Sequence, residues 1–192
     1  KYMFLYLLLI VASLALGGGT QWYINHTYSK WSKVPIDSRK TGATVSREFL
    51  DSEGLRSVSV IGDAPGDLGD FYDPRDNNLH LSRASYCENS VASIAVACHE
   101  AGHAVQHARE YMPSKIRGLL VPVVTFGSNA WIFVLMAGIL MNMAGLVNLA
   151  IALFALTVVF GLVTLPVEFD ASRRALAYIE GNVYCTEEQK KG

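Results

Sequence analysis

The chain has 192 residues, enough for one domain or for a small domain with membrane segments. Charged residues make up 17% and apolar residues 51%, with a mean hydropathy of +0.26, a balance that departs from an ordinary soluble domain and fits partial burial in lipid. A net charge of -1 gives no global footprint for nucleic acid, and three cysteines without a CxxC pair argue against a disulfide framework and fit a reduced, cytosol-facing location.

The first segment, YMFLYLLLIVASLALGGG, carries no charge after Lys1 and is expected to be a membrane anchor over residues 1–19. Its length is near the lower end of the roughly 17–25 residues that span a bilayer, and a signal peptide is the rival reading. Lys1 at the start and the charged EEQKKG at the end leave room for flanking segments beyond either terminus. Residues 20–56 are polar and mixed, with a short helix predicted from Thr44 to Leu55 that places Val45, Phe49 and Leu50 on one face. Two short strands are predicted next, over 57–61 with Val58 and Val60 alternating and over 78–82 with Leu79 and Leu81 alternating. The GDAPGDLGDFYDPRD between them reads as loop.

A helix is predicted from about Ser90 to Tyr111, capped by Asn89 or Ser90 and followed by Pro113. From Gly118 to Val167 no residue is charged. As one helix that run would be about 75 Å long, far beyond a hydrocarbon core of about 30 Å. Two membrane helices joined near Asn142–Asn148 fit better than an apolar soluble hairpin. Lys30, Lys33, Arg39, Lys40, Lys115, Arg117, Arg173 and Arg174 flank the apolar segments, and the hairpin turn has no Lys or Arg. The positive-inside rule therefore puts the polar domain in the cytoplasm.

The stretch CHEAGHAVQH holds an HExxH motif at His99, Glu100, Ala101, Gly102 and His103. Two histidines four apart on a helix share one face, so both imidazoles can meet one zinc ion while Glu100 reaches a water activated by it. A chance motif on a solvated helix is the alternative. The apolar VASIAVA just before it opposes that, because two histidines and a glutamate on a buried helix are costly unless paired or metal-bound. Cys98 points away from His99 and reads as a small buried residue. A catalytic zinc takes a third protein ligand, for which His80, Glu168 and Asp170 are the candidates. Glu168 ends the uncharged run, where a carboxylate needs a partner such as Arg173 or Arg174 if it has no metal.

CHEAGHAVQH, the upstream FYDPRDNNLHLS and the downstream LVTLPVEFDASRRAL together resemble the YugP-type neutral zinc metallopeptidases of bacterial membranes, over about Gly42 to Glu180. The resemblance implies zinc ligation by His99 and His103, Glu100 as general base, and Glu168 as third ligand in the manner of gluzincins. Related membrane peptidases have an aspartate four residues after that glutamate. Here the position is Ser172 and the nearby acid is Asp170, which either supports the site or replaces Glu168. Family members also continue past this end into another apolar segment.

The expected fold class is a mainly α membrane protein, with about three transmembrane helices and a small α+β, minigluzincin-like catalytic domain. The expected division is a membrane segment over 1–19, a catalytic region over 20–117, a transmembrane hairpin over 118–167, and a third-ligand helix with tail over 168–192. Tyr72, Asp73 and Arg75 can line the cleft or stabilise the oxyanion, or form a turn tied by an Asp–Arg pair. Gln106, His107 and Leu79 are further candidates for touching substrate or the ligands. The strand over 78–82 is expected to be the cleft edge that pairs with an extended substrate. The expected function is zinc-dependent endopeptidase in a bacterial cell membrane, multi-pass, acting on peptide or protein at the cytoplasmic face. A non-catalytic zinc-containing membrane scaffold or regulator is the alternative.

Overall fold

The first helix, α1, runs unbroken from Tyr2 to Trp31. This computed structural model describes residues 2–66, 68–183 and 185–191, and the side chains of residues 2–10 and 12–14, most of those in the expected N-terminal membrane segment, lie outside that description. The helix does not stop at Gly17–Gly19. Beyond the glycines it is supported by pairs at helical spacing: Gln21 donates to Asn25 at 3.0 Å, and Trp22 stacks on His26 at 5.3 Å. Its end anchors in the polar domain, where Trp31 and Ile36 are buried.

Helix α2 (Gly42–Ser52) is capped by Thr41, whose side chain accepts from the Thr44 N–H, and it buries Val45, Phe49 and Leu50. Three strands follow, β1 (Ser59–Ile61), β2 (Phe71–Asp73) and β3 (Asn78–His80), in the spatial order β1-β3-β2. β3 runs parallel to β1 and antiparallel to β2. Two expectations are corrected here. FYD is a strand inside the run read as loop, because adjacent Phe and Tyr favour a pleated surface despite the turn residues around them. The strand at 78–80 is central, with Leu79 0% exposed, so it offers no free edge to a substrate. The tight β2–β3 turn is set by Asp73, which accepts from the Arg75 N–H at 2.8 Å, and by Asn77 in the left-handed region at φ 58°.

The short α3 (Arg83–Cys87), capped by Ser82, leads into α4 (Val91–Ala108), capped by Ser90 through the Ser93 N–H. α4 is the core helix. Ala97, Cys98, Ala101, Ala104 and Val105 are buried, and their small side chains let neighbouring helices approach closely. Helices α5 (Met112–Leu140) and α6 (Ala144–Asn182) fold back on each other through Met141–Met143, with Asn142 in the left-handed region at φ 53°. Trp131 packs on Phe154 at 5.2 Å within this hairpin. Most of its large apolar side chains face outward, among them Leu119, Phe126, Phe133, Leu140 and Leu162. Among the described residues these are the two helices long and apolar enough to cross a membrane. α6 passes from the apolar run through Glu168 to Asn182 without a break, then a 3-10 turn forms at Gln189–Lys191.

Candidate metal centre

The motif residues sit in the C-terminal half of α4, where its face meets α6. Gly102 makes that contact possible: a Cβ there would lie 2.7 Å from the Ala171 carbonyl oxygen. The close approach brings Glu168, one turn before Ala171, against the histidines. Glu168 Oε2 lies 3.1 Å from His99 Nε2 and 3.5 Å from His103 Nε2. The imidazoles stand edge to face, with centroids 4.8 Å apart. Donor atoms of His99, Glu100 and His103 lie within 4.8 Å of one another.

The remaining polar atoms of His99, His103 and Glu168 also have neighbours. His99 Nδ1 lies 3.0 Å from Ser172 Oγ, and His103 Nδ1 lies 3.0 Å from Gln106 Oε1. Arg117 Nη2 stands 3.9 Å from Glu168 Oε1. Both Nε2 atoms therefore turn toward one carboxylate oxygen while both Nδ1 atoms are occupied elsewhere. Two imidazoles and a carboxylate directed at one point form a donor set that suits zinc. Glu100 lies half-buried beside them, and desolvation pushes its carboxyl above the ordinary range, partly offset by the two histidines. A cleft of about 400 Å³ opens on this face, lined by Leu68, Asp70, Ala95 and Val96 beside His99, Glu100 and Ser172.

Residues 5–192 match the family described as "putative neutral zinc metallopeptidase". The chain is 37% identical over 188 residues to the "Putative membrane protease YugP" of Bacillus subtilis (strain 168), covering 98% of this chain and 83% of that protein. The chain belongs to this zinc metallopeptidase family. No solved structure matches it.

The other sequence candidates fall in several places. Asp170 does not join the histidines. Its Oδ2 accepts from Gln106 Nε2 at 2.9 Å and from Arg174 Nε at 2.7 Å. His80 has both ring nitrogens engaged, with Asp63 at 2.7 Å and Asp76 at 3.1 Å. Arg75 pairs with Asp73 at 2.7 Å at the exposed turn and holds the Asp73 carboxyl down at about 2. Tyr72 donates to Asn77 at 2.9 Å, with its ring tilted against exposed His107 at 5.9 Å. Leu79 belongs to the core, and Cys98 is buried with its thiol pushed up by burial, so neither lines the cleft.

Sequence reasoning passed over Arg117, Asp70 and the role of Ser172. Arg117 was visible as the last charge before the uncharged run and was read for topology alone. Ser172 stands one turn after Glu168, and that spacing signals a neighbour of the candidate ligands.

Proposed function

We propose that this metallopeptidase is a membrane-embedded zinc endopeptidase in which His99, His103 and Glu168 hold the metal and Glu100 is the general base. The observation that carries the reading is the convergence of both Nε2 atoms on Glu168 Oε2, at 3.1 and 3.5 Å, beside the half-buried Glu100. Zinc bound there supplies a Lewis acid that activates water and polarises the scissile carbonyl. Glu100 takes a proton from the attacking water on its carboxylate and returns it to the leaving amine nitrogen. Desolvation raises its carboxyl pKa, a shift in the direction that makes a carboxylate a better proton acceptor.

Leu68, Ala95 and Val96 give the cleft an apolar wall for a side chain next to the scissile bond. Leu68 and Asp70 lead into β2, an edge strand, and an extended peptide paired with that edge is held by backbone hydrogen bonds with little sequence selection. The outward apolar faces of α5 and α6 support a lipid-embedded hairpin, and the flanking Lys and Arg residues support a cytoplasmic site in a bacterial cell membrane.

The test is cleavage of a mixed peptide library by detergent-purified protein, read by mass spectrometry. Wild type should cleave. Glu100→Gln with equal bound zinc should lose about 10²–10⁴-fold in rate, and His103→Ala should lose zinc. Equal cleavage by wild type and Glu100→Gln would refute the general-base assignment.

A further inference from the structure

Gln106 is 0% exposed and lies three residues past His103 on α4. Its amide has two unlike ends, and its surroundings decide which faces where. Nε2 lies 2.8 Å from the Val167 carbonyl oxygen and 2.9 Å from Asp170 Oδ2. Both of those atoms only accept hydrogen bonds, since Asp170 is ionised against Arg174 at 2.7 Å. Turning the amide over would set its oxygen against two acceptors in a buried place, which is costly. The NH₂ end is therefore committed to α6, and Oε1 is left facing His103 Nδ1 at 3.0 Å. An oxygen at that distance requires the imidazole to carry a proton on Nδ1, which in the neutral ring leaves the Nε2 lone pair free toward Glu168 and the metal position.

His99 lacks such a constraint. Its Nδ1 meets the Ser172 hydroxyl, which either donates or accepts. The two histidines thus differ in how firmly their ligand form is set.

We infer that Asp170 and Gln106 form a buried relay that presets His103 as a metal ligand, with Arg174 holding the outer end. Gln106 and Asp170 are positioning residues: they act through His103 and touch neither metal nor substrate. The inference rests on the zinc reading of the site and adds that part of the affinity is built in before metal arrives. The relay also joins α4 to α6, so the preset form of His103 exists only while the two helices are packed.

Two measurements test it. In metal-free, ¹⁵N-histidine-labelled wild type, under alkaline conditions that leave imidazole neutral, the His103 ring proton should be found on Nδ1. Zinc affinity is then read by competition with a chromophoric chelator. Gln106→Met, which keeps the volume and removes both ends of the amide, should bind zinc roughly 10–100-fold more weakly, with His103 passing to a mixture of tautomers. Asp170→Asn should move both readouts the same way by less, and serves if Gln106→Met does not fold. A His103 ring proton on Nε2 in wild type, or folded variants that bind zinc as tightly as wild type, would overturn the relay. Wild type that binds no zinc yet holds the Nδ1 proton would refute the zinc reading, and with it the relay's role, while leaving the Asp170–Gln106–His103 hydrogen-bond chain in place.

Discussion

Gly102 lies between the two histidines of the motif, and replacing it with alanine tests whether α4–α6 packing sets the metal geometry. The new Cβ would meet the Ala171 carbonyl oxygen at 2.7 Å and the Ala171 carbon atoms at 3.2 Å, against an ordinary contact of 3.4 Å or more. All three obstacles are backbone, so no side chain can swing aside. α6 must withdraw by the difference between 3.4 and 2.7 Å, about 0.7 Å along that line. Metal–ligand distances tolerate only about 0.2 Å, so a shift of that size moves Glu168 out of register with His99 and His103. Overpacking costs about 1–3 kcal/mol, while alanine in place of glycine inside a helix returns about 0.8–1.0 kcal/mol. The metal-free protein should therefore lose only about 0–2 kcal/mol, whereas zinc affinity should fall by at least about tenfold, or 1.4 kcal/mol. Urea unfolding of the metal-free protein and a zinc competition titration separate the two effects. Wild-type zinc affinity in a folded Gly102→Ala protein would refute the claim that this contact places Glu168.

Two further outcomes are expected. Leu79→Ala should cost about 2–5 kcal/mol in urea unfolding, with the activity of the folded fraction unchanged; a loss of activity at full stability would return Leu79 to the cleft. The His80 pKa is raised, chiefly by the hydrogen bond its ring donates to Asp63, against the opposing effect of burial and with further help from Asp76. Its contribution to stability is thus fully present below its ordinary value of about 6.5 and is lost as pH rises through the higher folded value. Thermal midpoints measured on either side of that range should fall with rising pH in wild type and not in His80→Asn, and an equal fall in both would assign the dependence elsewhere.

The helix carrying the motif was legible because cap, apolar face and terminating proline agree: Ser90 caps it, and α4 gives way to α5 just before Pro113. The hairpin was equally plain, since an uncharged run too long for one span must turn, and Asn142 tolerates the backbone that the turn needs. β2 was hidden because Phe71, Tyr72 and Asp73 lie among glycines, prolines and aspartates that outvote three residues in any window. The position of β3 was not readable, because strand order depends on long-range pairing and alternation shows only which side chains are buried. The continuation of α1 past the glycine triplet was not read either: glycine weakens a helix without forbidding it, and α1 has the Gln21–Asn25 and Trp22–His26 pairs beyond it. Near the metal centre the histidines were visible from spacing alone, while Ser172, Gln106 and Arg117 took their places only when α4, α5 and α6 came together.

The site draws its groups from two bodies. The histidines belong to α4, seated on α2 and the sheet, whereas Glu168 belongs to α6, continuous with the apolar hairpin. A ligand that needs all three groups binds the docked arrangement and not an undocked one, so occupancy and docking are thermodynamically linked. At a thousand times its dissociation constant, such a ligand adds about 4.1 kcal/mol to the favoured arrangement. On the proposed ligand set, zinc availability would govern not only turnover but the cohesion of the domain with its hairpin, and a chelator would act as a solvent for that joint.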